Sequence, residues 1–200
     1  MDPAPLRLYL VRHGETEWSL SGQHTGRTDL PLTPRVEDQA RALEPMLRAI
    51  AFEHVLTSPV RRAQRTCTLA GLGGAAEIEP DLAEWDYGDY EGRTSNDIRQ
   101  NRPGWIVFRD GCPGGESVAA VTRRADRLIT RAMALQGNVA LFSSGQFGCS
   151  LAARWIGLPV LQAQHLMLGT ASISVLAHNP AHPDLRVIAR WNYAATNPLG

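Results

Sequence analysis

Residues Leu6 to Val11 form a short, partly β-branched apolar run that fits a buried parallel strand better than an amphipathic one, and the run ends on Arg12-His13-Gly14. Thr33-Pro34 then supplies a cap with proline at the first helical position. Val36, Ala40, Leu43, Leu47 and Ile50 continue at helical spacing, so a helix is predicted from Pro34 to Ala49, bent or shortened at Pro45. A short strand over His54 to Thr57 leads into a helix over Val60 to Ala70, a second strand, turn and helix unit. Ile78 marks a brief strand. After Gly114-Gly115, the positions Val118, Val121, Ala125, Leu128, Ile129, Ala132 and Met133 repeat at steps of three and four, a strong amphipathic helix that Gly137 ends. Asn138 to Ser143 reads as a core strand, Gln146 to Ile156 as the helix after it, and Ile173 to Ala177 and Leu185 to Ala189 as two more strands. Strands alternating with helices imply an α/β fold with three layers, a mostly parallel sheet with helices on both faces. The aromatic and acidic stretch Asp81 to Gly92 yields no readable element, and the glycine and proline cluster from Pro103 to Gly115 reads as a surface loop near the site.

The chain's 200 residues suffice for one substantial core, and one domain over residues 1–200 is the expectation. Twenty basic residues balance twenty acidic ones, so no global field favours nucleic acid or an anionic membrane, and any anion site must be local. The cluster Arg61, Arg62 and Arg65 and the pair Arg123-Arg124 read as solvated helix faces, Arg62 excepted. Cys67, Cys112 and Cys149 are odd in number and widely spaced, unlike a disulfide frame or a zinc site. The N-terminus shows no secretory signal, and Leu135 to Ala153 is broken by polar residues, unlike a membrane helix of about 20 apolar residues. A cytoplasmic location is the expectation.

Ligands of doubly covered sheets bind at the carboxyl ends of strands, where Arg12-His13 and Ser143-Ser144 fall. Arg12 offers a fixed cation with several donors for phosphate oxygens, His13 a ring nitrogen nucleophilic at neutral pH, and Gly14 a turn that lets backbone approach a ligand. Taken alone, three such residues more commonly mean a surface arginine beside a satisfied histidine. Position and the downstream residues decide the matter.

Four pieces in order, Leu10 to Thr16, Thr57 to Thr66, Leu82 to Gly88 and Phe142 to Gly145, resemble the histidine phosphatase superfamily, the branch that includes cofactor-dependent phosphoglycerate mutases and small-molecule phosphatases. The resemblance covers nearly the whole chain. It implies that His13 attacks phosphorus to give a phosphohistidine, that Arg12 and Arg62 hold the phosphate, and that Glu84 protonates the leaving alkoxide and then activates water. A carboxyl donor needs a raised proton affinity, which desolvation beside Trp85 and Tyr87 is expected to help provide. Thr25-Gly26 matches the loop where a hydroxyl and an amide meet phosphate, with a simple turn as the alternative. Glu116-Ser117 is read first as a helix cap. The implied chemistry needs no cofactor and no metal.

Two differences favour hydrolysis over mutase chemistry. Ser19 stands where the mutases have asparagine, in a run from Glu17 to Gly26 that resembles sugar-phosphate phosphatases, including sedoheptulose bisphosphatase-like members, and the run from Gly92 to Gly115 is shorter than the mutase insertion. Ser19, Gln23 and Gln146 are the candidate substrate-binding residues, and the partner is a small phosphorylated metabolite, a sugar phosphate. Homo-oligomerisation is left open. The fourth piece departs from the family: Ser144 stands where members usually carry histidine. Loss of one preorganised donor commonly costs about 10²–10³ in rate, so a slowed phosphatase is expected. The alternatives are a phosphoglycerate mutase-like or broad-specificity acid phosphatase activity and, from another class, a catalytically silent phosphosugar-binding protein.

Overall fold

The computed structural model describes residues 5–194; the remaining positions of the expected domain over 1–200 lie outside the described residues. Its centre is one sheet of six strands in the order β3-β2-β4-β1-β5-β6. These are β1 (Arg7–Arg12), β2 (His54–Thr57), β3 (Ala76–Ile78), β4 (Asn138–Ser143), β5 (Ser172–Asn179) and β6 (His182–Ala194). The parallel character holds for β3, β2, β4 and β1, while β5 and β6 join antiparallel, so three of five pairings are parallel and the sheet is mixed. A short connection between β5 and β6 permits only antiparallel pairing there, since a parallel return needs a crossover.

Period two along the central strands explains the layering. Leu8, Leu10, Val139 and Leu141 enter one core with Val121, Leu128, Phe147 and Leu151, whereas Val11, Ala140 and Phe142 enter another with Leu43, Leu47 and Cys67. The first core is roofed by α7 (Val118–Met133) and α8 (Gly145–Trp155), and the second by α2 (Pro34–Arg41), α3 (Glu44–Arg48) and α4 (Arg61–Leu69). Shorter helical pieces are α1 (Glu17–Ser21), α5 (Ser95–Asn101) and α6 (Val107–Asp110). Among the described residues no helix is long and apolar enough to cross a membrane.

Three expectations are corrected. The helix predicted from Pro34 to Ala49 is two helices, because Pro45 lacks an N–H and its ring excludes the carbonyl one turn earlier; it sits instead in the first turn of α3. The segment from Pro103 to Gly115 is not a surface loop. Trp105, Val107, Phe108 and Cys112 are buried, α6 lies within it, and the Trp105 indole donates to the Gly111 carbonyl at 3.0 Å. Four consecutive apolar residues, Trp105 to Phe108, carried that signal. Arg124 is 7% exposed, while Arg61, Arg65 and Arg123 are on the surface as expected. The three cysteines are free, with burial pushing each thiol up to about 12.

Candidate active site

The carboxyl ends of β1, β2 and β4 lie side by side, and each delivers part of one site. The turn after β1 is tied to both neighbours: His13 N–H donates to the Ser143 carbonyl at 2.9 Å, and Gly14 N–H to Thr66 Oγ1 of α4 at 3.0 Å. His13 Nδ1 lies 2.6 Å from the Gly14 carbonyl, which can only accept, so this nitrogen carries the proton. Nε2 therefore presents a lone pair, and Arg62 Nε–H donates to it at 3.2 Å. Burial first, then Arg62, then Arg12, hold the His13 imidazole well below its ordinary 6.5, so the ring is neutral at physiological pH. That is the protonation state a nitrogen nucleophile requires.

Arg62 is wholly buried, and its Nη atoms donate to the carbonyls of Thr25, Gly26 and Thr28 at 2.9–3.0 Å. It ties the loop after α1 to the nucleophile. Arg12 lies against the start of α8; its Nη1 donates to the Leu168 carbonyl, between α8 and β5, and its Nε is buried without a partner among the described residues. A Cβ on Gly145 would lie 3.1 Å from Arg12 Cζ, so glycine at the first residue of α8 leaves space for the guanidinium. A cation at a helix N-terminus is opposed by the helix dipole, and Glu84 offsets it. The Glu84 carboxylate accepts N–H bonds from Trp85 at 2.8 Å, Gln146 at 2.9 Å and Phe147 at 2.7 Å. Trp85 turns into the core and its indole donates to the Glu116 carbonyl, while Tyr87 lines the cavity with Glu84, whose carboxylate is contacted by amides at the start of α8.

Arg12, His13 and Glu84 open on a cavity of about 370 Å³ that Thr16, Ser19, Gln23, Thr25, Tyr87, Gln146 and Leu168 also line. Four of the expected contacts are differently placed. Gly26 N–H does not face the cavity but donates to the Glu91 carboxylate at 2.9 and 3.1 Å. Ser19 borders the cavity, yet its hydroxyl serves the capping box of α1, accepting from Thr16 N–H at 2.8 Å. Gln23 uses its amide N–H on the Gly92 carbonyl at 2.7 Å. Ser144 is not among the residues that line the cavity; it is wholly buried, and its hydroxyl has no hydrogen-bond partner among the described residues. Thr25 and Gln146 border the cavity, and the Gln146 amide makes no side-chain hydrogen bond among the described residues.

Arg124 is the residue that the sequence reading missed. Its guanidinium donates to both Glu116 carboxylate oxygens at 3.0 and 2.7 Å and to the carbonyls of Asp81, Ala83 and Glu84, and it lies 4.1 Å over the Phe147 ring. It thereby fixes the backbone that carries Glu84 and the residue whose amide holds the carboxylate. The signal was present: Arg124 is three residues after Val121 and four before Leu128, on the buried stripe of α7. Removing one partner of a buried pair leaves the other charge uncompensated, so Arg124→Met should cost about 3–5 kcal/mol of stability. Urea unfolding measures this, and a loss below about 1 kcal/mol would remove Arg124 from this role. Ser117 caps α7 as read, its hydroxyl accepting from Ala120 N–H at 3.2 Å.

His24 forms part of the outer wall, stacked 4.5 Å from Tyr87 and edge-on to Trp105. Burial first, then Arg99, lower its imidazole from 6.5 to about 4. The unfolded chain thus binds more protons between those values, and stability is complete above 6.5 and falls as the pH drops toward 4. The expected loss is roughly 3 kcal/mol. His24→Gln should remove this share, seen as a smaller difference between unfolding at pH 7 and pH 4; an unchanged difference contradicts it.

Among the described residues no three His, Cys, Asp or Glu side chains converge as a metal site. A family model described as histidine phosphatase superfamily (branch 1) matches residues 8–192. An acid phosphatase of Mycobacterium tuberculosis is 42% identical over 186 residues, covering 91% of each chain. A sedoheptulose 1,7-bisphosphatase of Saccharomyces cerevisiae is 37% identical over 187 residues, covering 77% of this chain and 69% of the relative. A solved structure of a functionally characterised open reading frame of Mycobacterium tuberculosis superposes with a TM-score of 0.87 at 38% identity, covering 94% of this chain and 98% of the other.

Proposed function

The chain belongs to branch 1 of the histidine phosphatase superfamily and is a phosphatase of that group, and from this premise we propose that its single domain hydrolyses a small phosphorylated sugar through a phosphohistidine at His13, at a rate lowered by Ser144. One observation carries the reading: the Nε2 lone pair of a neutral, buried imidazole lies at a cavity that also presents the Arg12 guanidinium. Nε2 attacks phosphorus as the ester P–O bond breaks in line. Arg62 Nε–H, which holds the Nε2 lone pair, transfers its bond to a phosphoryl oxygen, and the Arg12 guanidinium, which lines the cavity, holds another. A phosphoryl dianion entering beside Glu84 repels its carboxylate. Glu84 takes up a proton from solvent as the ester binds and passes it to the departing alkoxide as the P–O bond breaks, and the carboxylate then takes a proton from the water that attacks the phosphohistidine.

Gln23, Thr25, Ser95 and Gln146 border the cavity beside Tyr87, with Leu166, Met167 and Leu168 as an apolar side, a lining that supports a polyol with one apolar face. The yeast relative's name, a sugar bisphosphatase, agrees with that class. The test is phosphate release from a panel of sugar phosphates in water labelled with heavy oxygen and with a chelator present. The account expects release with one labelled oxygen, unaffected by the chelator. Phosphate returned to another carbon of the sugar would make the protein a mutase, and loss of activity with the chelator would remove the metal-independent step. The unpartnered Ser144 hydroxyl supports one other reading, a silent phosphosugar-binding protein, which predicts saturable binding with no turnover.

A further inference from the structure

A second cavity, of about 280 Å³, shares His24, Ser95 and Gln146 with the first, so those three side chains are a partition between two compartments of one cleft. The outer compartment adds Arg99 and Gln164 beside an apolar wall of Trp105, Ile106, Val107 and Phe108. Charge is divided unequally between the two. The inner compartment carries Arg12 and the compensating Glu84, whereas the outer has Arg99 and no lining carboxylate. Arg99 Nε–H donates to the Trp105 carbonyl at 3.1 Å, which fixes the plane of the guanidinium at the rim. No carboxylate lies within salt-bridge distance of Arg99 among the described residues, in contrast to Arg109 and Arg124. Its Nη atoms form a planar fork of donors suited to two oxygens of one anionic group. Gln146 on the partition and Gln164 beyond it add neutral amides on the same path.

We propose that the outer compartment is a subsite for a second anionic group on the substrate's alcohol portion, a phosphate or a carboxylate, held by Arg99 while the scissile phosphate lies at Arg12 and His13. This deepens the phosphatase reading and rests on it. The field of Arg99 reaches the partition, where it helps keep His24 neutral, so His24 adds no competing cation between the two anion sites.

The experiment measures equilibrium binding to His13→Ala protein, in which the esters are not turned over, using the fluorescence of the tryptophans, Trp105 among them. Two matched pairs serve as probes: fructose 1,6-bisphosphate against fructose 6-phosphate, and 6-phosphogluconate against glucose 6-phosphate. The member with the second anion should bind about tenfold more tightly in at least one pair, as one charge-assisted bidentate contact provides. Adding Arg99→Gln should bring that ratio close to one, and Arg99→Lys should keep part of it. Preference in the first pair identifies a phosphate, and in the second a carboxylate. Equal affinities within both pairs, a preference that survives Arg99→Gln, or no binding of any of the four esters overturns the subsite. Phosphate release by the unaltered protein is read separately, so loss of the hydrolytic reading and loss of the subsite are distinct results.

Discussion

His13→Ala protein should lose turnover of every phosphate ester, with kcat/KM falling by at least about 10⁴-fold, because the group removed forms the covalent bond and acts as a unit with its partners. The geometry gives this residue no substitute. Nε2 is aimed by the Nδ1 bond to Gly14 and held neutral by burial and two guanidinium groups, and the other imidazole lining the cavity, His24, is engaged with Tyr87, Trp105 and the Ser95 hydroxyl at 3.2 Å. His13→Gln, which retains polar atoms toward Gly14 and Arg62, should be equally inactive. This separates loss of the nucleophile from collapse of the turn. Residual hydrolysis within about tenfold of the unaltered protein in both variants, with folding intact, would show that another group attacks.

Ser144→His should raise kcat by about 10²–10³, the contribution of one preorganised donor to the charge that develops on the phosphoryl oxygens. Position 144 follows β4 directly beside Arg12, since Arg12 pairs with Ser143 in the parallel register. Among the described residues the serine hydroxyl has no partner, and it does not cap α8, so its replacement forfeits no hydrogen bond there. An imidazole at this position adds a donor that a short, buried hydroxyl cannot bring to the cavity. The relative rates among sugar phosphates should stay as they were, because the partition of His24, Ser95 and Gln146 is untouched. A folded Ser144→His protein whose kcat does not rise contradicts the view that serine limits the rate.

Much of this site was legible from local patterns. The buried strand ending in Arg12-His13, the helices that follow β2 and β4, and the amphipathic α7 all announce themselves through apolar spacing, and they suffice to bring three strand ends together. What stayed hidden depends on partners distant in sequence. Nothing near Gly26 shows that its amide is taken by Glu91, 65 residues away. Nothing near Glu84 shows that the start of α8, 62 residues on, meets its carboxylate. Arg124 illustrates the opposite failure: its charge suggested solvent, although its place on the apolar stripe required burial, and a buried arginine needs the acceptors that Glu116 and three carbonyls provide.

Covalent capture tests the central claim most directly. The protein is mixed with a sugar phosphate labelled at phosphorus, quenched within the first turnover in alkali, and digested for peptide mapping. The account predicts label on the peptide containing His13, stable to alkali and released by acid as a phosphoramidate is, and absent from His13→Ala protein. Label on another residue, or full phosphate release with no labelled peptide at any time in the first turnover, would contradict it.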